Sequence, residues 1–277
     1  MKKNIYWAGI IWYNPDNKAI SQLNELIGLF DRIYIYDNSS KSNKFKINKE
    51  LFKKGFIYVF NGKNEGISKA FNYISSVATK VDFLFTLDQD TEIKREQIIQ
   101  LENYINHNFD SKVGIYCPEI IFEAKGTSKV GVQDIQFTIT SCSMINLQIF
   151  KCLGGYDENI FLDGVDREYC FRLRQANYKI RQVSYIKVKQ NLGNGKKNIL
   201  GIYEHSPMRN YYIAYNRLYY IAKYPEYFKN WYKFKYLYLS TAKQIISVLL
   251  CEKNKKEKIL AIFRASKDYK KIKDKNI

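Results

Sequence analysis

Phe83-Leu84-Phe85-Thr86-Leu87-Asp88-Gln89-Asp90 is a short apolar run, broken once by Thr86, that ends in two carboxylates. A run of this length, rich in aromatic and branched side chains and bounded by polar residues, predicts a buried strand. Strand periodicity then puts Asp88 and Asp90 on one side where the strand runs out. Two hard oxygen ligands so placed suit Mg²⁺ or Mn²⁺, with diphosphate oxygens and water completing the shell. Many solvated turns carry a bare Asp-x-Asp. This one follows directly on a buried strand, which sets it apart.

Working upstream, residues 4–13, 33–36 and 56–60 read as strands. Ile20, Leu23, Ile27 and Phe30, and then Ile67, Phe71, Ile74 and Ala78, have helical spacing between them. Downstream, Ile98, Leu101 and Ile105 mark a helix before a strand over 113–117. Strands alternating with helices predict an α/β fold, a Rossmann-like and mainly parallel sheet covered on both faces. In such sheets ligands bind at the carboxyl ends of strands. Tyr13-Asn14, Asp37-Asn38 and Asp88-Gln89-Asp90 all fall at those ends, so three polar clusters point to one crevice.

Each cluster also has a plainer reading. Asp37 and Asn38 could bond a nucleotide or form an Asx turn. Asn64-Glu65-Gly66 leads into the helix bearing Ser68, Lys69 and Asn72. Gly66 allows close backbone approach and the helix start offers N–H groups to an anion, yet the same residues would begin any helix. Farther on, Asp163 and Asp166 open a helix striped by Val165, Tyr169, Leu173 and Ala176. Asp163 has the position of an N-cap. Asp166, in the first turn, is the candidate general base for an acceptor hydroxyl.

The formal net charge is +18, and residues 223–277 hold 15 Lys/Arg against 5 Asp/Glu, +10 of that total. Tyr211 to Tyr238 is crowded with aromatics interleaved with lysines. Such a mixture suits an anionic membrane surface, where Trp and Tyr sit at headgroup depth; packing onto the rest of the chain or a homodimer partner explains it as well. Five cysteines without CxxC spacing read as small buried hydrophobes in a reducing compartment. Lys2-Lys3 and the apolar run behind them lack a small-residue cleavage site, and no apolar run reaches the length of a membrane span. The expected location is cytoplasmic, peripheral on the inner face of the cell membrane.

The series Tyr13-Asn14-Pro15, Asp37-Asn38-Ser39, Asn64-x-Gly66-Ile67…Asn72 and Leu87-Asp88-Gln89-Asp90 resembles family 2 glycosyltransferases of GT-A fold. Phe161-x-Asp163-x-Val165-Asp166-x-Glu168, Leu192-Gly193 and His205-Ser206-Pro207-x-Arg209-x-Tyr211-Tyr212 are similar to the rhamnosyltransferase-like branch. The resemblance implies an inverting transfer of rhamnose or a similar hexose from a dTDP- or UDP-sugar to a lipid-linked saccharide of a bacterial surface polysaccharide. Asp166 then matches the catalytic base. Tyr13, Asn14, Pro15, Asp37, Asn38, Asn64, Gly66, Lys69, Asn72, Asp88, Gln89, Asp90, His205 and Arg209 match the donor side, and Ser141, Asp163, Glu168, Tyr211 and Tyr212 the acceptor side.

The implied cofactor is a divalent cation, Mg²⁺ or Mn²⁺, on Asp88 and Asp90. Gln190 stands where the family usually has a His ligand, and its amide oxygen is a weaker one. Cys142 replaces a common Gly, and Tyr215 replaces an Arg before Asn216. The implied partners are the nucleotide-diphospho-sugar and a polyprenyl-diphosphate-linked acceptor. The expected organisation is a catalytic domain over 1–204, with a nucleotide-binding half (1–117) and an acceptor-side half (118–204), followed by a C-terminal aromatic and basic helical extension over 205–277. Two rivals stay open: an inactive homologue acting as a membrane scaffold, and a basic nucleic-acid-binding protein. The second explains the charge but not the ordered acids at strand ends, and no nucleic-acid motif of recognised spacing occurs.

Overall fold

The computed structural model describes residues 4–121, 131–190 and 204–273. The chain forms two compact units, residues 1–159 with 165–193, and residues 160–164 with 194–277. In the first unit the order is β1 (Tyr6–Trp12), α1 (Asn17–Ser21), β2 (Arg32–Asp37), α2 (Lys49–Lys53), β3 (Phe56–Phe60), α3 (Gly66–Val77), β4 (Phe83–Asp88), β5 (Thr91–Glu92) and α4 (Arg95–His107). It continues with β6 (Val113–Ile121), β7 (Val132–Ile135), β8 (Ser143–Asn146), α5 (Leu147–Cys152), α6 (Val165–Gln175) and β9 (Lys179–Gln190).

One sheet runs β3-β2-β1-β4-β8-β6-β9-β5, with β7 on β9. The parallel expectation holds from β3 to β4. The other half is mixed. The crossover through α4 makes β6 run in the direction of β4, as a parallel unit must. β8 then inserts between them, antiparallel to both. The register sets Trp12 beside Asp37 and Ile11 beside Asp88, so the strand ends that carry polar residues are level.

Alternation along β1, β2 and β4 sends Ala8, Ile10, Trp12, Ile33, Ile35, Phe83, Phe85 and Leu87 into one buried cluster. α3 seats Phe71 and Ile74 on β1, each fully buried and each contributing about 1.5–3 kcal/mol. That approach requires Gly9, where a Cβ would lie 3.0 Å from the Ile74 Cδ1. Gly114 does the same for α6, since a Cβ there would come within 2.3 Å of the Leu173 Cδ2.

The helix expected from Ile20 to Phe30 is shorter. α1 is capped by Asp16, passes into a 3₁₀ stretch at Gln22–Leu26, and ends before Gly28, which sits at φ +72°. Of the five free cysteines, Cys117, Cys142 and Cys170 are buried, but Cys152, at the end of α5, is exposed.

The second unit is helical: α7 (Pro207–Lys223), α8 (Asn230–Phe234), a π-helical turn (Lys235–Leu239), α9 (Ser240–Cys251) and α10 (Lys255–Lys273). Ser206 caps α7 through its Oγ, which accepts from the Arg209 N–H, with Pro207 in the first turn. α7 and α10 share a core of Ala214, Tyr215, Ile262 and Ala265. Tyr211, Tyr215 and Tyr219 stack along one face of α7. Tyr220, Tyr224 and Phe228 are buried, whereas Trp231, Tyr232, Phe234 and Tyr238 are exposed. The aromatic crowd thus divides between core and surface. Among the described residues no helix is long and apolar enough to cross a membrane.

Candidate active site

β4 stops at Asp88, and Gln89-Asp90 form the turn into β5. Asp90 is therefore carried by a turn and not by strand alternation, which corrects the periodicity argument. Two sets of bonds fix that turn. The Asp88 N–H donates to the Ser141 Oγ at 3.0 Å, and the Ser141 hydroxyl donates to the Thr91 Oγ1 at 2.8 Å. The Gln89 amide brackets Tyr13, accepting from its N–H at 2.7 Å and donating to its carbonyl at 3.1 Å. Ser141 is fully buried, a support beneath Asp88.

Burial first, and then the charges of Asp90 and Asp166, push the Asp88 carboxyl up to about 7. Asp166 lies in the first turn of α6, where its Oδ1 accepts from the Arg167 N–H at 2.7 Å. It borders a small recess with Thr138, Thr140 and Tyr156. Asp90 from the same turn and Asp166 from α6 thus lie near enough to Asp88 for their charges to act against its ionisation. Like charges held together are costly until a cation joins them.

The donor chemistry fits a divalent metal. Asp88 and Asp90 offer hard oxygens. Gln190, paired with Thr91 across β5 and β9, has a buried Oε1 with no hydrogen-bond partner among the described residues. No cage of three His, Cys, Asp or Glu side chains forms among the described residues.

The donor-side candidates form a lattice. Asp37 is fully buried and accepts from the N–H groups of Ser39 and Asn43, the Asn43 amide and the Tyr58 hydroxyl, the last at 2.5 Å. Burial alone would raise its pKa, but these bonds outweigh it and hold the carboxyl below its ordinary value. Asn38 ties β2 to the start of α3, donating to the Gly66 carbonyl and accepting from the Glu65 N–H. Gly66, at φ +83°, donates to the Asn64 Oδ1. Asn14, at φ +50°, donates its N–H to Ser39, and the Pro15 carbonyl accepts from Lys46. Lys69 is exposed on α3. Asn72 grips the turn after α5, accepting from the Tyr156 N–H at 2.7 Å and donating to its carbonyl at 2.9 Å.

The acceptor-side candidates separate. Glu168 has no exposed surface and pairs with Arg172, whose guanidinium also donates to the carbonyls of Leu153 and Gly155. In the second unit Asp163, at φ +59°, holds Arg209 through both carboxylate oxygens at 2.9 and 3.0 Å. Tyr211 donates to Asp268, and Tyr212 stacks on Phe161. His205 borders a polar cleft of that unit. Leu192-Gly193 lie outside the described residues.

Sequence reasoning missed Tyr36, Tyr58, Asn61 and Glu65. The Glu65 carboxylate accepts from the Tyr36 hydroxyl and from Asn61, with Lys63 nearby, and its pKa falls to about 2. A tyrosine in a strand gives no sign of where its hydroxyl will reach.

The sequence pattern described as "Glycosyl transferase family 2" matches residues 17–154. The chain is 30% identical over 240 residues to the dTDP-rhamnosyl transferase RfbF of Shigella flexneri, covering 78% of this chain and 79% of that one. Among solved structures, S. aureus TarS 1-349 in complex with UDP-GlcNAc superposes with a TM-score of 0.61 at 13% identity, over 94% of this chain and 80% of that one. GalNAc-T7 with UDP, GalNAc and Mn²⁺ gives 0.59 at 16% identity over 79% of this chain, which spans 50% of that protein. At such identities the superpositions show the fold alone, GT-A. The chain is a glycosyltransferase belonging to glycosyl transferase family 2, in its rhamnosyltransferase-like branch.

Proposed function

We propose that the chain moves rhamnose or a similar hexose from a dTDP- or UDP-sugar to a hydroxyl of a lipid-linked saccharide, with inversion at the anomeric carbon. The convergence of Asp88, Asp90 and Asp166 at the carboxyl edge of the sheet carries this reading. The likeness to a dTDP-rhamnosyl transferase supports the donor class.

Asp88 and Asp90, with Gln190 beside them, would hold a divalent cation. Bound there, the cation would supply positive charge against the leaving nucleoside diphosphate. Asp166 takes the proton of the acceptor hydroxyl while that oxygen bonds to the anomeric carbon and the bond to the diphosphate oxygen breaks. Asn38, Asn64 and Gly66 shape the loop before α3 on the nucleotide side, and Asp37 braces it from within.

Exposed Trp231, Phe234 and Tyr238 among Lys229, Lys233 and Lys235 support docking of the second unit on an anionic membrane surface, the inner face of the cell membrane. The experiment is transfer and slow donor hydrolysis by purified protein. Asp166→Asn should lower turnover by 10²-fold or more, on the order of general-base contributions, with donor affinity kept. Undiminished turnover in Asp166→Asn would remove the base assignment.

A further inference from the structure

The second unit holds a cleft of about 220 Å³ between α7 and α9, to which the proposed transfer assigns no role. One wall carries Arg217 and His205, the other Ser240 and Lys243. Its one carboxylate, Glu252, is already matched: Lys258 Nζ sits 2.9 Å from it and the Ser247 hydroxyl donates to it at 3.2 Å. Lys258 is held on its other side by Glu204 at 2.7 Å.

Arg217 is the telling residue. It is 7% exposed, and its guanidinium donates to the neutral oxygens of Thr241 and Gln244 at 2.6 and 3.3 Å. No carboxylate among the described residues pairs with it. A guanidinium withdrawn from water is costly without a counter-charge, and its fork suits oxyanions. The same wall adds the His205 ring and the facing wall adds Lys243, while the Ser240 hydroxyl donates to the Lys235 carbonyl at 3.2 Å. Donors approaching from several directions match a tetrahedral oxyanion better than a planar carboxylate.

We propose that this cleft, walled by His205, Arg217, Ser240 and Lys243, binds a phosphate group of a ligand other than the sugar donor. Two sources share that chemistry, a free phosphate or diphosphate and the headgroup of a phospholipid. The proposal stands independently of the role given to Asp166.

The test is thermal unfolding of the full chain in EDTA, with pyrophosphate set against chloride at equal ionic strength. Wild type should gain several degrees, since a ligand that binds the native state raises its apparent stability. Lys243→Ala, at an exposed position that folding tolerates, and Arg217→Gln should each lose at least half of that gain. Lys267→Ala, equally basic but outside the cleft, should keep it. Asp88→Asn should keep it too; a gain that disappears there belongs to the donor site and overturns the proposal. Flotation with vesicles of phosphatidic acid against phosphatidylcholine separates the sources. Binding to phosphatidic acid that Lys243→Ala reduces severalfold marks a lipid headgroup, and a pyrophosphate response without it marks a free phosphate. No response to either, or equal responses in wild type and Lys243→Ala, overturns the inference.

Discussion

Replacing Gly155 by Ala strikes the strut that joins α3 to the turn after α5. Gly155 sits at φ +74°, and a Cβ there would lie 2.6 Å from the Asn72 Oδ1. A left-handed conformation costs an L-residue about 1–2 kcal/mol. Displacing the Asn72 amide also endangers its two bonds to the Tyr156 backbone, at about 0.5–1.5 kcal/mol each. The total is about 2–5 kcal/mol, and a domain of this size loses roughly 2–4 °C of Tm per kcal/mol. A fall near 10 °C, followed by circular dichroism, is expected. Asn72→Ala removes the atom that the new methyl would strike. In that background Gly155→Ala should cost only the backbone part, about 1–2 kcal/mol. Equal losses in both backgrounds would refute the reasoning. So would an Asn72→Ala variant of unchanged stability whose donor affinity alone had dropped, since Asn72 would then be a ligand contact and not a strut.

Other outcomes are expected on the same grounds. Asp37 has a depressed pKa when folded, so its bonds add stability above its unfolded value near 4, and that stability is lost as pH falls through the folded value. Tyr58→Phe removes one of those bonds, costs about 1.5–3 kcal/mol at pH 7, and moves acid unfolding to higher pH in a pH-resolved melt. Glu168→Ala removes the carboxylate that balances the charge of the Arg172 guanidinium; it should lose about 3 kcal/mol in urea unfolding while KM for the acceptor stays put, and a changed KM at full stability would return Glu168 to the acceptor site. Gln190→His should tighten Mn²⁺ binding severalfold in a paramagnetic-resonance titration, because imidazole suits that metal better than an amide; an unchanged Kd would mean that position 190 does not face the cation.

Much of the first unit was legible because its strands are short, apolar and bounded by turn residues. Phe56–Phe60 and Phe83–Asp88 follow the apolar runs almost residue for residue. The acids were legible too, since each stands where an element begins or ends. Less legible was what each side chain touches. Asn72 looked like a ligand contact from its place in a motif, yet its amide is spent on Tyr156, 84 residues away. Glu168 is three-residue-periodic with Val165 and shows no surface, because Arg172 one turn later neutralises it. The insertion of β8 was invisible, as Ser143–Asn146 is only four residues long and its neighbours come from distant segments. The tail showed its aromatics but not their sorting between core and surface, which depends on packing between helices far apart in sequence.

The insertion of β8 has a bearing on how the molecule is made. β4 waits for a neighbour more than fifty residues downstream, and the serine under Asp88 arrives on the same late segment. During synthesis the open flank of β4 therefore presents unpaired backbone, a hazard for sticking to other chains. A fragment cut after residue 117 would keep its parallel strands yet lack both that neighbour and the floor of its acidic edge, so this stretch is no freestanding module.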